Sequence, residues 1–104
     1  KKKIDYKIFF SPTTLKAQDY KNNLLKKQEL ELIKKLIETK NNLNIYYFNN
    51  KNEMTSNYHF FLDHFHYYYD LADMIKYDIL VEDYKKLKYS ILVNKENYLG
   101  LNIK

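Results

Sequence analysis

Two short β-prone runs, separated by one long amphipathic segment, limit what this chain can become. Residues 4–10 (I-D-Y-K-I-F-F) are rich in β-branched and aromatic side chains and stop at Ser11-Pro12, where proline has no N–H to extend a ladder. Residues 45–48 (I-Y-Y-F) are continuously apolar, the pattern of a strand covered on both faces. Between them Leu25, Leu32, Ile33, Leu36 and Ile37 recur at helical spacing, with Leu30 on the flank. Lysines and glutamates occupy the other side, and Glu31 and Lys35 form a favourable i,i+4 pair. The firm helix spans residues 24–39; Asn22-Asn23 is a candidate break from a leading portion beginning at Leu15, and Thr13 and Thr14 are N-cap candidates. Strand, helix, strand is a βαβ unit, so an α/β fold with parallel strands is expected.

Beyond the second strand, Asn49-Asn50-Lys51-Asn52 opens a polar loop at the carboxyl end of the expected sheet, the edge where active sites of open parallel sheets gather. Leu71, Met74, Ile75, Ile79 and Leu80 then repeat at helical spacing, with Asp70 placed to meet the dipole of a first turn, predicting a helix over residues 68–81. Residues 89–93 read as a further short strand, and residues 98–103 as a docking tail. Two or three parallel strands flanked by helices follow from this order.

The 104 residues suffice for one domain with a modest core, and a hydrophobic share of 45% is too high for a disordered tail. One Gly and one Pro are few for a self-contained α/β domain, which usually spends glycines on strand-to-helix turns. The net charge of +5 comes from lysine alone. Without arginine the chain lacks the forked donor that reads bases and clamps phosphates, which argues against a nucleic-acid partner. The absence of cysteine excludes disulfides and thiolate metal sites. No apolar run approaches the roughly 20 residues of a membrane span, and Lys1-Lys2-Lys3 is not followed by the apolar segment of a signal peptide. The chain begins without Met, as a piece of a longer protein does.

The chemistry-bearing stretch is residues 53–67, E-M-T-S-N-Y-H-F-F-L-D-H-F-H-Y, in which Asp63 and His66 stand three residues apart between two apolar runs. A carboxylate beside an imidazole either makes a structural hydrogen bond in a loop or fixes the ring's tautomer and steadies its charged form, the acid–base half of a nucleophile–base–acid relay. These residues, followed by Y-Y-D-L-A-D-M-I, resemble the C-terminal block of SGNH/GDSL-type hydrolases, in the bacterial branch associated with cell-surface polysaccharides. The resemblance lies in Glu53, Thr55 and Asn57, then Asp63, His66 and Tyr67, then Asp70, Leu71, Asp73 and Ile75, with F-F-S-P-T-T upstream as a strand ending in a proline turn. It implies a flavodoxin-like SGNH sheet in which His66 is general base and then acid, Asp63 orients it, and no cofactor is needed. It also implies an acylated surface glycan as substrate, for hydrolysis or acetyl transfer, and an exported or membrane-anchored protein.

The nucleophile of that family sits in a Gly-Asp-Ser block, and a glycine and an asparagine from later blocks complete its oxyanion hole. Ser11, Ser56 and Ser90 stand in no such context, and Gly100 is the sole glycine. Either the chain is the C-terminal portion of a longer enzyme, the reading favoured here, or it is a relative that has lost catalysis. On the first reading the chain alone is inactive and its partner is the missing N-terminal half or another chain. The competing function is a non-catalytic assembly module, because half a sheet leaves an apolar edge to be covered. His59, Asp63, His64 and His66 also offer N and O donors to zinc, but without an i,i+4 His pair. Phe60, Phe61, Phe65 and Tyr67 to Tyr69 are placed either to close a core under the loop or to line an acyl or sugar pocket.

Overall fold

The computed structural model describes residues 7–40, 42–63, 65–81 and 83–100. Residues 4–6 of the expected first strand, His64, and residues 101–103 of the expected tail lie outside them.

Strand β1 (Ile8–Phe10) leads through Pro12 into helix α1 (Leu15–Thr39) and then strand β2 (Ile45–Tyr47). β1 and β2 pair in parallel, Ile8 opposite Ile45 and Phe10 opposite Tyr47, as the βαβ reading requires. Thr14 is the N-cap of α1, its Oγ1 accepting the Ala17 N–H at 3.3 Å. Thr13, the other candidate, turns instead toward Asn49.

The break at Asn22-Asn23 is real. Tyr20 is extended (ψ 134°), and Lys21, Asn22 and Asn23 take left-handed φ of 49°, 57° and 64°, so α1 is two helical limbs joined by an elbow. Asparagine tolerates this region, whereas a lysine there costs about 1–2 kcal/mol. In the long limb the buried stripe is Ile33 and Ile37 with Leu30 and Leu36 beside it; Leu32, counted in that stripe from its spacing, faces solvent.

Side chains of β2 alternate between two cores. Ile45 and Tyr47 join Ile33, Ile37 and Val93 under α1, while Tyr46 and Phe48 join Met54, Phe61, Leu71 and Ile75 under helix α2 (Tyr69–Leu80). The two helices therefore cover opposite faces, which is why the second apolar run carries no polar residue. The expected bounds of α2 differ by one residue at each end.

Strand β3 (Ile91–Val93) corrects one expectation: it pairs with β2 antiparallel, Tyr47 opposite Ile91 and Ile45 opposite Val93, giving a mixed sheet of order β1-β2-β3. The cause is Asp78. Buried near the end of α2, its carboxylate accepts the N–H groups of Lys88, Tyr89 and Ser90 at 2.7–3.0 Å and the Ser90 hydroxyl at 2.7 Å. The Asn52 amide also donates to the Tyr89 carbonyl, bringing the chain back to the carboxyl end of β2 before β3 starts. From there only the reverse direction is open. The tail docks on α1 through a 3-10 turn (Tyr98–Gly100), where the Tyr98 hydroxyl donates to Glu38 at 3.0 Å. The result is a small α/β fold. Among the described residues no helix is long and apolar enough to cross a membrane.

Candidate active site

The Asp63–His66 loop is a tight excursion on a planted base. Asn57 caps a 3-10 turn (Tyr58–Phe60), accepting the His59 N–H at 3.1 Å. Phe61 and Tyr67 then form a single antiparallel bridge, flanked by Leu62 N–H to His66 C=O at 2.8 Å and Tyr68 N–H to Phe60 C=O at 2.9 Å. Phe61 is buried in the core beneath α2, with Phe60 and Tyr67 packed against it. Phe61 thus anchors the loop inward, while Leu62, Asp63, Phe65 and His66 all face outward.

At the tip, Asp63 Oδ1 accepts the N–H groups of Phe65 and His66, both at 2.9 Å. His66 Nδ1 lies 2.9 Å from Oδ1 and 2.8 Å from Oδ2 of the same carboxylate. The two side chains sequence reasoning singled out therefore meet. Nδ1 faces the acid, so as a donor there it leaves Nε2 as the base nitrogen. The Phe65 N–H, then the His66 ring, hold the Asp63 carboxyl below its ordinary range, against an opposing desolvation. Both side chains are open to solvent, His66 at 74% and Asp63 at 54%, so water screens the pair heavily and it contributes little to stability. The imidazole thus stands open to solvent with Nδ1 turned to the carboxylate.

The other candidates separate. His59 is exposed on the 3-10 turn. Among the described residues no group of three or more His, Asp or Glu side chains gathers as a cation site. Ser56 and Ser90 give their hydroxyls to Asn52 and Asp78, and Ser11 is exposed just past β1. The aromatic cluster divides by burial. Phe60, Phe61 and Tyr67 serve the core, whereas Phe65, Tyr68 and Tyr69 are exposed. Each sequence neighbour of His66 also lines a hollow. Phe65 borders one of about 390 Å³ with Ala17, Tyr20, Leu24 and Leu25, and Tyr67 borders one of about 300 Å³ with Tyr68, Tyr69 and Ala72.

The polar loop at the carboxyl edge of β2 does different work from that expected of it. Asn49 is fully buried: its Oδ1 accepts from the Thr13 N–H (3.0 Å) and hydroxyl (2.7 Å), and its Nδ2 donates to Glu29 at 2.9 Å. The Tyr47 hydroxyl donates to the same Glu29 oxygen at 3.0 Å. Burial pushes the Glu29 carboxyl up, partly offset by these two donors, and burial beside that carboxylate raises the Tyr47 phenol. Asn52 Oδ1 accepts the N–H groups of Met54 and Thr55, and the Thr55 carbonyl accepts the Leu15 N–H at the start of α1 at 3.1 Å. These asparagines brace the strand ends and fix the stretch leading into the dyad loop. Their sequence signal was present, a run of Asn directly after a buried strand, but it reads equally as an open loop.

Comparison with known protein families, with curated proteins and with solved structures finds no match to this chain.

Proposed function

We propose that this chain supplies the acid–base half of a serine esterase or O-acyltransferase of SGNH type, acting on acyl esters of surface glycans. The supporting observation is the doubly hydrogen-bonded approach of Asp63 to Nδ1 of an exposed His66. In this mechanism Nε2 removes the proton from a serine hydroxyl as its oxygen attacks the ester carbonyl. Asp63 stabilises the imidazolium that forms, and the same proton then passes to the departing sugar oxygen. Water, or an acceptor hydroxyl, repeats the sequence on the acyl-enzyme. The serine and the oxyanion donors come from a segment outside these residues, set against the edge of β1 that no strand covers among the described residues.

The test is acetate release from an acetylated polysaccharide by the full-length protein carrying these residues. His66→Ala lowers kcat by about 10⁴-fold, the usual consequence of disabling one member of such a relay. Undiminished acetate release by that variant rules out His66 as the base.

The outer edge of β1, which no strand covers among the described residues, together with exposed Leu62, Leu80 and Leu99, favours a second reading as a non-catalytic assembly module. That module predicts a stable complex whose formation is indifferent to His66→Ala, and no ester hydrolysis by any form of the protein.

A further inference from the structure

The elbow of α1 creates a concavity that a straight helix would not have. Lys16, Ala17 and Tyr20 on the short limb face Leu24, Leu25 and Gln28 on the long one, and Phe65 closes the hollow. Its walls are almost wholly apolar, yet it opens to water, with Tyr20 at 64% and Phe65 at 57% exposure. Phe65 also belongs to the dyad: it lies between Asp63 and His66 in the chain, and its N–H holds the Asp63 carboxylate. A ligand seated in the elbow therefore touches one of the two residues between acid and base. Two cations stand at this place, Lys16 on the lining and Lys21, whose ammonium sits 5.4 Å from the Tyr20 ring centre. Apolar walls with an ammonium at the margin suit an alkyl chain ending in a carboxyl oxygen, neutral in the ester and anionic in the released acid.

We propose that the elbow of α1 is a binding site for the acyl chain of the ester, with the chain against Ala17, Leu24, Leu25 and Phe65 and its carboxyl end matched by Lys16. The assignment rests on the esterase reading for its place in catalysis, but binding is measurable without turnover. It extends the substrate class from acetyl to medium-chain acyl groups, which use the volume that acetyl leaves empty.

The experiment is titration of the protein with sodium acetate, butanoate and octanoate, followed by the methyl resonances of Ala17, Leu24 and Leu25. Octanoate shifts these resonances and acetate does not, with affinity rising about fourfold for each methylene buried. Leu24→Asp, at a position already 40% exposed and so compatible with folding, abolishes the shifts at Ala17 and Leu25 while leaving the circular dichroism unchanged. No shift with octanoate, or equal shifts with acetate, overturns the proposal. So do shifts that follow protein concentration and not ligand, which assign the elbow to a second copy of the chain. Ester hydrolysis by the full-length protein separates the two readings. If His66→Ala abolishes turnover while Leu24→Asp leaves the octanoyl-to-acetyl preference unchanged, the elbow assignment fails and the esterase reading stands. If octanoate seats in the elbow but His66→Ala hydrolyses normally, the acyl site stands and the esterase reading fails.

Discussion

Asp63 and Asp78 each gather backbone N–H groups onto one carboxylate, but in opposite surroundings. Asp78 is fully buried and binds residues ten to twelve positions downstream, so it ties the end of α2 to the start of β3. Asp63 is exposed and, among the described residues, binds only those two and three positions away. A buried carboxylate with long-range partners shapes the fold, because its removal leaves several amides without acceptors. An exposed one with local partners does little for stability; it closes a local turn and sets the position of the His66 ring. The same residue type thus serves architecture in one place and a candidate chemistry in the other.

The contrast breaks most directly at Asp78. Asp78→Ala strands three N–H groups, and the expected loss is about 3–5 kcal/mol in urea unfolding at neutral pH. A loss under 1 kcal/mol would mean that the turn into β3 is held by something else. Asn49→Ala comes next. It leaves the Thr13 N–H and the half-buried Glu29 carboxyl each short of a partner, and about 2 kcal/mol is expected by the same measurement. If the Asn49 variant matches wild type, the buried network at the carboxyl ends of β1 and β2 is incidental.

These two sites also mark how far the sequence was legible. The strand–helix–strand order, the break at Asn22-Asn23 and the span of α2 all follow from local periodicity and backbone preference, and each is found. The direction of β3 is set by Asp78, Asn52 and their distant partners, a tertiary effect that no local pattern encodes. Asp63 and His66 were legible because their interaction is itself local, closing within four residues. Thr13, Asn49 and Glu29 were not, because residues that interact 20 and 36 positions apart leave no spacing signature.

Lys21 sharpens the comparison from the other side, since the elbow carries strain where Asp78 relieves none. Glycine is free at φ 49°, whereas lysine is not, so Lys21→Gly is expected to stabilise the protein by up to about 1 kcal/mol, less what glycine adds to unfolded-chain entropy. A clear destabilisation would show that the lysine side chain, and its contact with Tyr20, does more than the strain undoes.

The smallest effect belongs to Asp63, and there the sign of its titration is informative. The Phe65 N–H and the His66 ring favour its ionised form, so the folded group titrates below its unfolded value. Whatever stability the pair contributes is present above the unfolded value and is lost as pH falls through the folded one. Because the carboxylate is exposed, Asp63→Ala should leave the urea midpoint where it was, in contrast to Asp78→Ala. The local geometry should respond nonetheless. As pH falls, the amide resonances of Phe65 and His66 are expected to shift together with one midpoint below the ordinary Asp value of about 3.9. A midpoint at or above that value would mean that the carboxylate is not held by these donors in solution. The acid–base pairing would then lose its physical basis while the fold, which depends on Asp78, stood unchanged.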